Sequence, residues 1–79
     1  MTPERMGRIR WRCRRGMLEN DLILARYLDT HADTITEAEV ATLDRLLDLP
    51  DNELWDLIAG RALPNEPAFV ELVTQLRRV

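Results

Sequence analysis

The sequence predicts an all-α protein, a compact bundle of five short helices. Apolar residues recur at helical spacing in five segments, and capping residues, glycine or proline separate these segments. The chain has 79 residues, which is enough for one domain with a modest core, so residues 1–79 are expected to fold as a single unit. A chain of this size leaves little room for a deep substrate cavity or a separate cofactor domain.

The first helix is predicted to begin at Thr2-Pro3-Glu4, where a hydroxyl cap, a proline and an acid follow one another. One apolar face then repeats at i, i+3 and i+7, through Met6, Ile9 and Cys13. The alternation of residues 9, 11 and 13 leaves a strand open, but the chain has no second strand-like segment to pair with it. Gly16 is expected to break this helix.

The second helix is predicted to follow Gly16, and its apolar face to consist of Leu18, Leu22 and Ala25, joined by Leu24 and Leu28. Residues 29–33, which include His31, are expected to form a polar connection. The third helix has the clearest start, because Thr36 and Glu39 have the spacing of a capping box. Its apolar face is expected to end at Leu49-Pro50.

The fourth helix is predicted to be capped by Asp51 and to end near Gly60. It is expected to bury an apolar group made of Leu54, Trp55, Leu57 and Ile58. After a turn at residues 63–65, the fifth helix carries the apolar face Phe69, Leu72, Val73 and Leu76. Arg77 and Arg78 suit its negative C-terminal end.

Charge is distributed unevenly along the chain. Residues 1–15, the basic head, carry six arginines and one acid, whereas residues 16–79 carry five arginines and 13 acids. The chain has no lysine, so every cation is a guanidinium able to make planar contacts to carboxylate or phosphate. A basic head on an acidic body indicates either a partner for the head or pairing between head and body, and both readings stay open.

The residues that carry chemistry are few, and we expect no metal site among them. Cys13 is the only thiol and lies on the apolar face of the first helix, where a buried, unreactive thiol is typical. His31 is the only imidazole and is expected to be solvated. The three glycines lie too far apart for a phosphate-binding loop. No apolar run is long enough to span a membrane, and a cytoplasmic location is expected.

One segment combines cations, an indole and a helix break, namely residues 8–21. Arginine and tryptophan are enriched where proteins bind each other, and Gly16 has no Cβ to keep another backbone away. The alternative is an ordinary corner between two helices. In that case Arg15 and Glu19, four residues apart, pair if the helix continues through Gly16.

Residues 13–21, Cys-Arg-Arg-Gly-Met-Leu-Glu-Asn-Asp, resemble the signature of the SdhE-type FAD assembly factors of succinate dehydrogenase. The family's Arg-Gly-x-x-Glu motif is met by Arg15, Gly16 and Glu19. Ile9 and Trp11 upstream, Asp21 downstream and the later segment 46–54 agree with the resemblance, which spans nearly the whole chain. Arg-Gly-x-x-Glu alone is a weak motif, and its position between two short helices makes it more specific.

The resemblance implies a five-helix bundle that acts as an assembly chaperone and is not an enzyme, with no catalytic residues of its own. Family members promote covalent attachment of FAD to a histidine of the succinate dehydrogenase flavoprotein subunit, and often of the fumarate reductase subunit. The flavin and the histidine belong to that partner, so this chain is expected to bind no cofactor itself. The residues expected to bind the partner are Arg8, Trp11, Arg14, Arg15, Gly16, Glu19 and Asp21.

A mechanism follows from the resemblance as a hypothesis. Gly16 permits close backbone contact with the partner, and Arg15 makes charge-assisted hydrogen bonds to partner carboxylates or carbonyls. Glu19 orients Arg15 or accepts hydrogen bonds from the partner. Two rival functions use the same segment: a generic protein-interaction module, or a nucleic-acid binder in which Trp11 stacks on bases. The acidic body and a pI near 5.0 speak against nucleic acid, and no membrane partner is expected.

Overall fold

Five α-helices form the fold in a computed structural model of the protein, which describes residues 2–79. They are α1 (Pro3–Arg12), α2 (Leu18–His31), α3 (Glu37–Leu46), α4 (Asp51–Ile58) and α5 (Pro67–Arg77). The predicted all-α class is confirmed. Residues 9–12 are helical, so the strand left open by their alternation is wrong. Among the described residues, none of the helices has the length and apolar content of a membrane span.

Several predicted helix ends are confirmed by backbone hydrogen bonds. The Thr2 hydroxyl accepts from the Arg5 amide at 3.2 Å, which caps α1. Thr36 and Glu39 form the full capping box, with distances of 3.1 Å and 3.0 Å. Gly60 follows α4 with φ +83°, a conformation that favours glycine and lets the chain turn away from the helix.

Other helix ends differ from the prediction. α1 ends at Arg12, before Gly16, so Gly16 lies in the connection and does not itself break the helix. α2 continues to His31, which makes the first part of the predicted polar connection helical. Pro50, not Asp51, is the N-cap of α4, and the Asp51 carboxylate pairs with Arg15. His31, predicted to be solvated, is half-buried, and its Nδ1 lies 2.9 Å from the Tyr27 carbonyl oxygen.

The predicted apolar face of α2 is wrong in part. Leu18, Leu22 and Ala25 are exposed, and the buried face consists of Asn20, Leu24, Tyr27 and Leu28. These four residues follow i, i+4, i+7 and i+8 spacing, which is the helical period shifted by part of a turn. The shift places the Tyr27 ring in the core, where it stacks on His31 with the ring centroids 4.4 Å apart.

The core lies around α5, which packs against α2, α3 and α4. Its four predicted apolar residues are all buried, and so are Leu54, Leu57 and Ile58 of α4. Arg77 joins α5 to the C-terminal end of α4. Its guanidinium donates to the carbonyl oxygens of Leu57 at 2.7 Å and Ile58 at 3.1 Å. These bonds neutralise the exposed carbonyls at a helix end.

The basic head is attached to the acidic body by ion pairs. Arg10 bonds Asp29 of α2 at 2.8 Å, and Arg12 bonds both Asp44 and Asp48 at 2.8 Å. Arg5 pairs with Glu37, and Arg15 pairs with Asp51. Pairing between head and body is therefore confirmed for four of the six head arginines. Arg8 and Arg14 have no ion pair within residues 2–79.

Candidate functional site

The connection between α1 and α2 forms a tight corner, which we define as residues 13–21. Gly16 has φ +88°, a left-handed conformation that an L-residue with a Cβ adopts at a cost. The Asp21 carboxylate accepts from the backbone amides of Arg15 at 2.8 Å and Gly16 at 3.2 Å. A side chain from the first turns of α2 thus holds the backbone that precedes the helix, and Asp21 has an intramolecular role.

Arg15 points from the corner into the protein. Its guanidinium donates to the Asp51 carboxylate and to the carbonyl oxygens of Leu47 and Leu49, and its side chain is only 16% exposed. These acceptors all lie within residues 47–51, which run from the end of α3 to the first residue of α4. The helix does not run through Gly16, so the condition for pairing Arg15 with Glu19 is not met, and the Arg15 donors are directed to residues 47–51.

Asn20 makes a second connection to the same turn. It is fully buried, and its Nδ2 donates to the Asp51 backbone carbonyl oxygen at 3.1 Å and contacts the Met17 sulfur at 3.4 Å. Asn20 is not among the site residues predicted from the sequence. Its spacing from Leu24, Tyr27 and Leu28 would have found it, since a polar residue on a buried helix face needs a hydrogen-bond partner.

The remaining predicted partner-binding residues lie on the surface. Trp11 is 76% exposed, and Arg8, Arg14 and Glu19 are also exposed. A Cβ built on Gly16 would meet no atom within 4 Å, so open space lies in front of its backbone. The predicted partner-binding residues therefore form two groups. Arg15 and Asp21 are bonded within the chain, and the others are available to a partner.

Two exposed leucines add to this surface. Leu18 is 67% exposed and Leu22 46%, and both lie in the first half of α2. Their helical spacing predicts that they face the core, and the structure exposes them. Leu18, Leu22 and Trp11 are thus large exposed apolar side chains in a segment that also carries guanidinium and carboxylate groups, a mixture typical of protein-binding surfaces.

The corner offers a surface more than a pocket. A cleft of about 120 Å³ lies beside it, lined by residues that include Arg10, Cys13 and Asp21, whereas pockets for small ligands hold roughly 300–1,000 Å³. Cys13 is buried, and burial raises the pKa of its thiol to about 11, as expected for an unreactive thiol. No cluster of metal-ligating side chains occurs in the part of the chain that the structure describes.

Comparison with known proteins identifies the family of this chain. A family model described as the flavinator of succinate dehydrogenase matches residues 7–79. The chain belongs to this flavinator family. The resemblance predicted from residues 13–21 is thus confirmed over nearly the full length of the chain.

Relatives of the flavinator family match across most of both chains. A protein of Ralstonia nicotianae is 38% identical, over 98% of this chain and 85% of its own. One from Methylococcus capsulatus is 42% identical, over 90% and 86%, and one from Coxiella burnetii is 35% identical, over 98% and 94%. All three are named FAD assembly factor SdhE.

Proposed function

We propose that this protein is an FAD assembly factor that binds the flavoprotein subunit of succinate dehydrogenase and promotes covalent attachment of FAD to it. The related fumarate reductase subunit is a second expected client. The proposal is supported most by the exposed residues in the corner and next to it, in a chain whose relatives are named FAD assembly factors. These residues include Gly16, Glu19 and Trp11, and open space lies in front of Gly16.

Each exposed residue has a physical role in docking. Trp11 supplies a large, rigid contact area, which commonly carries much of the binding energy of an interface. Gly16 lets the partner backbone approach closely, and Glu19 accepts hydrogen bonds from partner donors. Arg8 and Arg14, which have no ion pair within residues 2–79, are placed to bind partner carboxylates or carbonyls.

The proposed role is that of a chaperone. Its one thiol is buried, and its one imidazole stacks on Tyr27 with Nδ1 against a backbone carbonyl oxygen. In this proposal the bond forms between the flavin and a histidine that both belong to the partner. Docking then stabilises the partner conformation in which these two groups are held in reacting geometry.

The nucleic-acid alternative has less support. Four of the six arginines of the basic head already pair with acids of the body, which lowers the positive charge available to phosphates. Within the described part of the basic head, only Arg8 and Arg14 lack an ion pair, and two cations are too few for the basic face that nucleic-acid binders present.

Co-expression with the succinate dehydrogenase flavoprotein subunit of the same organism tests the proposal. Covalent flavin is read by in-gel fluorescence after denaturation. We expect fluorescence to rise with this chain and to fall by about tenfold with Glu19→Ala, the loss that one charge-assisted interfacial hydrogen bond gives. Gly16→Arg should reduce it as well, because it fills the approach to the backbone.

Glu71→Ala is the matched control, because Glu71 is an exposed glutamate on α5, away from the corner. It should leave flavinylation at the wild-type level. Circular dichroism confirms that each variant is folded. Fluorescence that is the same with and without this chain would contradict the function, and equal effects of Glu19→Ala and Glu71→Ala would contradict the site.

A further inference from the structure

Two side chains connect the corner to residues 47–51, which comprise the turn after α3 and the first residue of α4 and which we call the 47–51 turn. Arg15 donates to the Asp51 carboxylate and to two carbonyl oxygens of this turn, and Asn20 donates to the Asp51 backbone carbonyl oxygen. Asp51 therefore accepts hydrogen bonds from one residue that precedes Gly16, Arg15, and from one that follows it, Asn20. These long-range bonds are in addition to the local bonds from Asp21 that shape the corner itself.

We infer that Arg15 and Asn20 are positioning residues, which fix the corner against the 47–51 turn and so hold Gly16 and Glu19 in the geometry for docking. This inference rests on the proposed docking to the flavoprotein. It changes the role of the motif arginine, because Arg15 then acts through its neighbours and does not itself bind the partner.

Burial and donor geometry support this assignment. Asn20 is fully buried, so it cannot touch a partner that docks on the surface. The Arg15 side chain is 16% exposed, and its Nε and both Nη nitrogens already donate to acceptors inside the chain. Releasing Arg15 toward a partner would leave Asp51 and two carbonyl oxygens without these bonds, a cost that docking would have to offset.

Position in sequence explains how the effect reaches the surface. Arg15 directly precedes Gly16, and Asn20 directly follows Glu19. Bonds on both sides of the exposed pair restrict how residues 16–19 can move relative to the bundle. Rigid placement of an interface lowers the entropy lost on binding, so loosening either bond should weaken docking without removing any contact to the partner.

The experiment measures the affinity of purified variants for the flavoprotein subunit by isothermal titration calorimetry. Asn20→Ala is the central variant, because Asn20 cannot contact the partner. We expect about tenfold weaker binding for Asn20→Ala, and no further loss when Asn20→Ala is added to Arg15→Gln, because both belong to one coupled unit. Glu19→Ala should add its loss to that of Asn20→Ala.

Arg77→Gln is the matched control for stability. Arg77 also donates to two backbone carbonyl oxygens, but at the opposite end of α4. It should lower the denaturation midpoint as Arg15→Gln does and leave the affinity unchanged. Wild-type affinity in Asn20→Ala would overturn the inference, and so would an equal loss of affinity in Arg77→Gln.

A second measurement does not depend on the partner. In the free chain, the amide NMR signals of Gly16 and Glu19 should move in Asn20→Ala and stay in place in Arg77→Gln. If the wild-type chain does not bind the flavoprotein, the proposed function fails, and the NMR signals still decide whether the corner is held by Asn20. Unmoved signals in Asn20→Ala would overturn the inference on their own.

Discussion

Cys13 and Tyr27 are buried groups whose protonation depends on the fold. Burial raises the pKa of the Cys13 thiol to about 11, against a partly opposing effect of nearby arginines that include Arg15. Burial also raises the pKa of the Tyr27 phenol to about 12, and Glu39 adds to the shift. Both groups are neutral in the folded protein at pH values where the unfolded chain already ionises them.

These shifts predict a loss of stability in alkaline solution. The folded-state pKa exceeds the unfolded value of 9.0 for Cys13 and 10.0 for Tyr27, so the unfolded chain binds fewer protons in this range. The free energy of unfolding should be independent of these groups below pH 9 and should fall from there to about pH 12. Urea denaturation midpoints on both sides of pH 9 measure this.

Cys13→Ala separates the two groups. The cavity left by the substitution lowers the free energy of unfolding at every pH. The part of the alkaline decrease that begins near pH 9 should disappear, because only Tyr27 still titrates. An unchanged pH slope in Cys13→Ala would show that the thiol is not protected in the folded protein. Tyr27→Phe should instead remove the later part of the decline.

Glycine acts differently within α1 and in the connection that follows it. Gly7 lies in the middle of α1 with open space around it, whereas Gly16 has φ +88° in the corner. An alanine suits the helix and is strained at positive φ. We expect Gly7→Ala to raise the free energy of unfolding by about 0.5–1 kcal/mol and Gly16→Ala to lower it by about 1 kcal/mol.

Equilibrium urea denaturation of the two variants checks this pair, and each serves as the control for the other. The substitution is chemically identical, so the difference isolates backbone conformation. Equal shifts in the same direction would mean that Gly16 does not need its left-handed conformation.

The helices could be predicted because their periodicity and caps are local. Thr2, Thr36 and Glu39 cap the helices that their spacing predicts, since the hydrogen bonds involved span only three residues. The buried face of α2 could not be predicted with equal success. Leucines lie on both sides of that helix, Leu18 and Leu22 on the exposed one and Leu24 and Leu28 on the buried one. The choice between the two faces depends on α4 and α5, which pack against the helix.

The corner shows the same difference between local features, which can be predicted from the sequence, and long-range contacts, which cannot. Its position followed from the motif, because glycine, arginine and glutamate are adjacent in sequence. The inward direction of Arg15 did not follow, since its acceptors lie more than 30 residues away, at Leu47, Leu49 and Asp51. The sequence predicts Asp51 as a local helix cap, because it does not show that the distant Arg15 guanidinium binds the Asp51 carboxylate.

At the scale of the whole molecule, ion pairs attach α1 to the remaining helices. Arg12 makes the best-shielded of these contacts on α1, since its guanidinium bonds two carboxylates and the Asp44 carbonyl oxygen. Its hydrogen bond to Asp48 is the largest of the effects that raise the pKa of Arg12. The other pairs are more exposed and are expected to contribute little each.

Arg12→Gln should therefore lower the free energy of unfolding by about 1 kcal/mol at low salt. The difference from wild type should shrink in about 1 M NaCl, where the screening length falls to roughly 3 Å. Arg8→Gln is the control, because Arg8 has no ion pair within residues 2–79, and it should change stability little. Chemical denaturation at two salt concentrations gives all four values, and equal effects of the two variants would contradict this account.

Within its own bounds α1 buries a single residue, Ile9. A helix held mostly by exposed charges opens at a lower free energy than the packed helices, so its amide protons should exchange with solvent before those of α2–α5. Arg8 and Trp11 would then leave the surface for a fraction of the time, while Glu19 stays on α2. A partner that contacts residues of both α1 and α2 binds only those molecules in which α1 is packed against the other helices. Its apparent affinity therefore reports the fraction of molecules in that state.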